Sequence, residues 1–100
     1  MFLINFYSKN NNIMYVILIY DMDAKRVAKM LKLCRQYLNW IQNSVFEGEI
    51  SPPRLKELSA KMKTIMNEDY DSVIIFKHRQ KIEMNREVIG VERNPLDDFL

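Results

Sequence analysis

Two carboxylates, Asp21 and Asp23, follow directly on the apolar run Tyr15 to Tyr20 (YVILIY). Behind them comes a segment with five basic residues, Lys25, Arg26, Lys29, Lys32 and Arg35, and no acidic one before Leu38. A carboxylate oxygen is a hard ligand suited to a divalent cation, and a basic surface suits phosphate. The pattern therefore points to metal-assisted chemistry on a phosphate chain, or to binding of one. The structural alternative is that Asp21 caps the turn before the first helix. Asp23 is the expected N-cap of that helix, where its charge complements the dipole.

The elements must hold these groups still. YVILIY has no polar alternation, so it predicts a strand buried on both faces in the middle of a sheet. Side chains just past the carboxyl end of such a strand are rigidly placed yet reachable by solvent. Asp21 is at that point. The first helix is predicted from about Ala24 to Tyr37, with Val27, Met30, Leu31, Cys34 and Leu38 along its apolar face. Lys25, Lys29 and Lys32 lie opposite that face, with Arg26 and Arg35 at its flanks. Basic residues at a helix N-terminus oppose the dipole, which hints at an anionic partner.

Leu38 to Ile50 (LNWIQNSVFEGEI) reads as two short strands bent near Asn43 and Ser44. Ser51-Pro52 opens a second helix to about Asn67, with Leu55, Leu58, Met62, Ile65 and Met66 inward. Glu68 to Asp71 is a polar turn, and Ser72 to Phe76 (SVIIF) a further buried strand. A last strand is expected within Arg86 to Val91. The order β-α-β-β-α-β, with an extra C-terminal strand, is the ferredoxin-like α+β arrangement: two helices on one face of an antiparallel sheet. Tyr15, Ile17 and Ile19 alternate with Val16, Leu18 and Tyr20, so both faces are apolar. The face without helices needs cover, most economically from a second copy about a two-fold axis.

A chain of 100 residues makes one domain. We divide it into an N-terminal extension outside the core (1–13), the ferredoxin-like domain (14–93) and a mobile tail (94–100). The Asn10-Asn11-Asn12 run separates FLINFY from the first strand. Met14 would itself serve as a start, and Phe2 to Tyr7 has the composition of an edge strand. Single Cys34 forbids an intrachain disulfide and fits a reducing cytoplasm. Cys34 and the lone His78 do not make a zinc site, and no Ser-His-acid triad is apparent. Net charge is only +2, so partners must be argued from its uneven distribution. No apolar run approaches the ~20 residues that span a bilayer, and no signal peptide is convincing.

MYVILIYD, then KRVAKMLKLCRQYL, WIQNSVFEGEIS and DSVIIF, resemble the small CRISPR-associated endonuclease of the adaptation machinery, the Cas-two family. The resemblance runs from Met14 to about Val91. Gln42, Ser44, Val45, Phe46, Glu47 and Gly48, at the right distance from the Tyr20-Asp21 junction, make it specific. It implies a symmetric homodimer with sheets face to face and a C-terminal strand crossing to the partner. It also implies a metal-dependent nuclease on single-stranded RNA or double-stranded DNA. The family's second role is to bridge the Cas-one integrase and prespacer DNA during spacer acquisition. The family's metal-binding aspartate matches Asp21, and its phenylalanine matches Phe46. Arg26 matches a basic position only loosely. Trp40 stands where the pattern is often basic, which weakens any catalytic role there.

On this reading Asp21 is the catalytic and metal residue, with Mg2+ or another divalent cation as cofactor. Two copies of Asp21 related by the two-fold would share one ion, since one carboxylate holds magnesium weakly. Lys25, Arg26, Lys29 and Lys32 are candidate nucleic-acid contacts, and Tyr20 and Phe46 candidates for orienting substrate, with core packing as their alternative. Glu47 and Glu49 read as solvated. Three functional classes follow: a phosphodiesterase, a non-catalytic adaptor, and, more weakly, a small-ligand or regulatory module.

Overall fold

The computed structural model describes residues 12–79 and 85–94. The proposed extension up to residue 11, with its edge strand, and residues 95–100 of the tail lie outside these. The described elements are β1 (Met14–Asp21), α1 (Ala24–Arg35), β2 (Asn39–Gln42), β3 (Val45–Ile50), α2 (Pro52–Ile65) and β4 (Ser72–His78). They form an antiparallel sheet in the order β2-β3-β1-β4, which puts YVILIY in an inner strand as expected.

Each helix begins where its cap says it should. The Asp23 side chain accepts from Lys25 N–H at 3.0 Å, and Ser51 accepts from Arg54 N–H at 3.3 Å ahead of two prolines. Helix α1 stops at Arg35, short of Tyr37, because Gln36, Tyr37 and Leu38 close onto Leu33 and Cys34 carbonyls in a terminal turn. At the β2–β3 turn Asn43 has φ 47°, a left-handed conformation that asparagine tolerates better than most residues. Trp40 Nε1 donates to the Asn43 carbonyl at 2.9 Å and pins this turn.

Alternation along the sheet separates two faces. Val16, Leu18, Tyr20, Phe46 and Ile50 turn toward the helices and are buried against Met30, Leu33, Cys34, Leu55, Leu58 and Met62. Full burial of a side chain of this size is worth roughly 1.5–3 kcal/mol, so this layer carries the fold. Leu33 is part of it although the apolar stripe chosen from sequence omits it; Val27 and Leu31 of that stripe are only half-buried. Gly48 is buried here, and a Cβ at this position would stand 3.4 Å from Leu38 Cδ2.

The other face carries no helix. Register places Tyr15 between Glu49 and His78, Ile17 between Glu47 and Phe76, and Ile19 between Val45 and Ile74. Ile74 and Phe76 are 53% and 57% exposed. The expected strand within Arg86 to Val91 does not form among the described residues: 85–94 pair with no strand of their own sheet. Ile89 and Val91 are exposed there. Asn94, placed in the mobile tail from sequence, is instead buried, and its amide donates to the Trp40 carbonyl.

Candidate functional site

Asp21 is the last residue of β1, and its cross-strand partner is Ser72. It is two residues beyond Ile19, so it shares the uncovered face with Ile17, Ile19, Ile74 and Phe76. The Asp21 side chain is exposed, and it has no hydrogen-bond or ion-pair partner among the described residues. Asp23, not Asp21, caps α1. The structural alternative for Asp21 therefore has no contact to support it.

Beside Asp21 an open depression is lined by Tyr20, Met22, Val27, Asn43 and Ser44. The β2–β3 turn reaches this spot because Tyr20 N–H donates to the Ser44 carbonyl at 3.2 Å. A single chain offers one carboxylate here, and no group of three or more His, Cys, Asp or Glu residues gathers among the described residues. The donor fits a divalent ion in type, a free hard oxygen, but supplies only half of a two-carboxylate site.

The basic residues divide. Lys25, Lys29 and Lys32 are exposed on the side of α1 away from Met30, Leu33 and Cys34, hence away from the sheet and from the Asp21 face. Arg26 goes elsewhere. Its Nε lies 2.6 Å from Asp71 Oδ2 and its second guanidinium nitrogen 3.0 Å from Oδ1. Arg26 is therefore held in an ion pair with Asp71.

Asp71 is the residue that sequence reading missed. It is buried, and besides Arg26 it accepts from Asp23 N–H at 3.0 Å and Asn67 N–H at 2.8 Å. The Arg26 guanidinium, helped by those two backbone donors, holds its carboxyl far below the ordinary carboxylate range against the opposing effect of burial. The available signal was its place directly before SVIIF, the strand that pairs with β1. A depressed pKa contributes stability above the unfolded value of about 4, and that contribution is lost as pH falls toward the folded value. We expect Asp71→Asn to lower Tm by roughly 5–10 °C at pH 7. The gap to wild type should narrow when melts are repeated near pH 3. A constant gap would assign the loss to shape alone.

Tyr20 and Phe46 are 3% and 0% exposed, with ring centroids 6.0 Å apart on the helix side of the sheet. Both pack in the core, the alternative given for them, and Tyr20 also borders the depression beside Asp21. Burial pushes the Tyr20 phenol up to about 12, and its hydroxyl has no hydrogen-bond partner. Cys34 is likewise pushed up to about 12 by burial and is core filler, as expected. Tyr15 on the open face is raised to about 12 by burial and by the nearby Glu47 carboxylate. His78 is exposed at the end of β4. On the helical layer, Tyr37 donates to Glu57 at 2.8 Å beneath the Arg54 guanidinium, tying the turn after α1 to α2.

An antiparallel β2-β3-β1-β4 sheet with both helices on one side defines the ferredoxin-like class. Within that class the chain belongs to the CRISPR associated protein Cas2 family, whose model matches residues 14–86. It is 46% identical over 81 residues to CRISPR-associated endoribonuclease Cas2 2 of Archaeoglobus fulgidus, covering 81% of this chain and 88% of the relative. It is 45% identical over 87 residues to CRISPR-associated endoribonuclease Cas2 of Thermotoga maritima, covering 87% and 99%. A crystal structure of Cas2 superposes with TM-score 0.74 at 44% identity over 84% of this chain and 94% of that one. Streptococcus pyogenes Cas2 at pH 6.5 superposes with TM-score 0.64 at 27% identity, covering 76% and 99%.

Proposed function

We propose that this protein is a divalent-metal-dependent endonuclease of the CRISPR system, acting as a homodimer through its uncovered sheet face. The observation that carries the reading is the placement of an unpartnered Asp21 carboxylate on the same face as Ile17, Ile19, Ile74 and Phe76. Burial of that apolar face by a second copy, with the two-fold near the Asp21 end, brings two carboxylates to one cleft. The two Asp21 carboxylates would hold a Mg2+ ion there, and the ion would supply Lewis-acid polarisation of a phosphate oxygen and a more acidic water. The chain itself supplies the carboxylate, fixed by the β1–β4 ladder, and an open depression beside it. The similarity of the relatives named endoribonuclease Cas2 supports the phosphodiesterase reading.

A specific observation favours the adaptor as the second reading. Lys25, Lys29 and Lys32 face outward from the helical layer, on the opposite side of the sheet from Asp21. A duplex lying on that layer contacts phosphates without entering the acidic cleft, as a DNA-holding bridge to a Cas-one integrase requires. Among the described residues no helix is long and apolar enough to cross a membrane. A protein that works on CRISPR DNA would act in the cytoplasm.

The test is cleavage of single-stranded RNA and of double-stranded DNA, each in magnesium and in EDTA, beside a spacer-integration assay. Magnesium-dependent cleavage is expected of the nuclease. Integration that proceeds equally well when cleavage is absent would make the adaptor role primary.

A further inference from the structure

Beyond its own Asp23 cap, the turn that carries Asp21 is held from outside. Asp21 has the ladder to Ser72 on one side, and two residues later Asp23 N–H is fastened to Asp71. Asp71 is the residue directly before Ser72. Its two oxygens therefore tie the start of α1, through Asp23 and Arg26, to the end of α2, through Asn67, at the mouth of β4. Each oxygen accepts two hydrogen bonds. Oδ1 takes Asp23 N–H and one guanidinium nitrogen, and Oδ2 takes Asn67 N–H and Arg26 Nε. A buried, fully satisfied carboxylate of this kind leaves the joined segments little freedom.

We propose that Asp71 and Arg26 are positioning residues for Asp21, fixing the β1–α1 turn so that its carboxylate is presented to a divalent ion at a set height above the open face. This rests on the metal reading given above. Neither residue touches the ion. Arg26, which looks from sequence like a phosphate contact, acts through Asp71 and the turn. Small misplacement of an acting group is costly, since a shift of about 1 Å can lower turnover by 10²-fold.

Arg26→Lys tests this, because lysine keeps the charge but loses the planar two-pronged donor. Asp71→Asn is the second variant and attacks the pair from the other side. Circular dichroism first establishes that each is folded. The readouts are amide hydrogen exchange, Mg2+ affinity by calorimetry, and cleavage kinetics. We expect the Asp23 and Asn67 amides to exchange about tenfold faster, with ion affinity several-fold weaker and kcat about tenfold lower at a KM within about twofold. If ion binding is lost in Asp21→Asn but unchanged in both pair variants, the positioning role is overturned and the metal reading stands. If Asp21→Asn also leaves ion binding unchanged, the metal reading fails, and the role given to the pair fails with it.

Discussion

Asp21→Asn protein is expected to keep its fold and the proposed dimer and to lose cleavage by about 100-fold or more, or about 3 kcal/mol of transition-state stabilisation. Asparagine preserves size and one oxygen, so neither the β1–β4 ladder nor the open face should change. The side chain is exposed and has no partner among the described residues, so no native contact is lost. What changes is charge. Two neutral amides facing one cleft cannot replace two carboxylates as ligands for a divalent cation. The measurements are magnesium-dependent cleavage of single-stranded RNA and double-stranded DNA, with Tm and molar mass recorded on the same samples. Cleavage within about threefold of wild type would remove Asp21 from the chemistry. The spacer-integration assay then separates roles. An adaptor should tolerate Asp21→Asn, whereas a nuclease step required for acquisition should not.

Most of the scaffold can be read from local signals. The apolar run, the caps at Asp23 and Ser51, and the bend at Asn43-Ser44 each rest on chemistry within a few residues. Long-range pairings are what the sequence hides. Asp71 lies 45 residues from Arg26, and no local pattern announces their contact. A basic residue five positions beyond the acidic strand end looks like a phosphate contact until its partner is known. Tyr20 and Asp21 are neighbours in sequence, yet the alternation of a strand sends them to opposite faces. The same alternation explains why the aromatic beside the Asp21 carboxylate is buried with Phe46 on the helix side of the sheet. Residues 86–91 show the reverse case. Their β-forming composition is plain, but the described chain gives them no strand to pair with. Such a segment would be completed by an edge from beyond the described residues, as the proposed crossing to a second copy would supply.

Ile74→Glu and Phe76→Glu are expected to convert the dimer to folded monomers, weakening association by about 100-fold or more, and to abolish cleavage with it. Both side chains are more than half exposed in the single chain, so a charge there costs the monomer little. In a face-to-face dimer the same carboxylate would be buried among Ile17, Ile19 and the partner's apolar surface without a counter-charge. The penalty for that is several kcal/mol per ion, and about 3 kcal/mol already corresponds to 100-fold in dissociation constant. Lys77→Glu is the matched control. Lys77 is exposed on the same strand but faces Val16 in register, on the other side of the sheet, so its substitution should leave the dimer intact. Sedimentation across a concentration series separates the cases, with thermal melts confirming that each variant is folded. The link to function is geometric: if one ion needs a carboxylate from each copy, a monomer with Asp21 unchanged must be inactive. A dimer that survives both substitutions would move the interface to another surface. A monomer that still cleaves would mean that one Asp21 suffices.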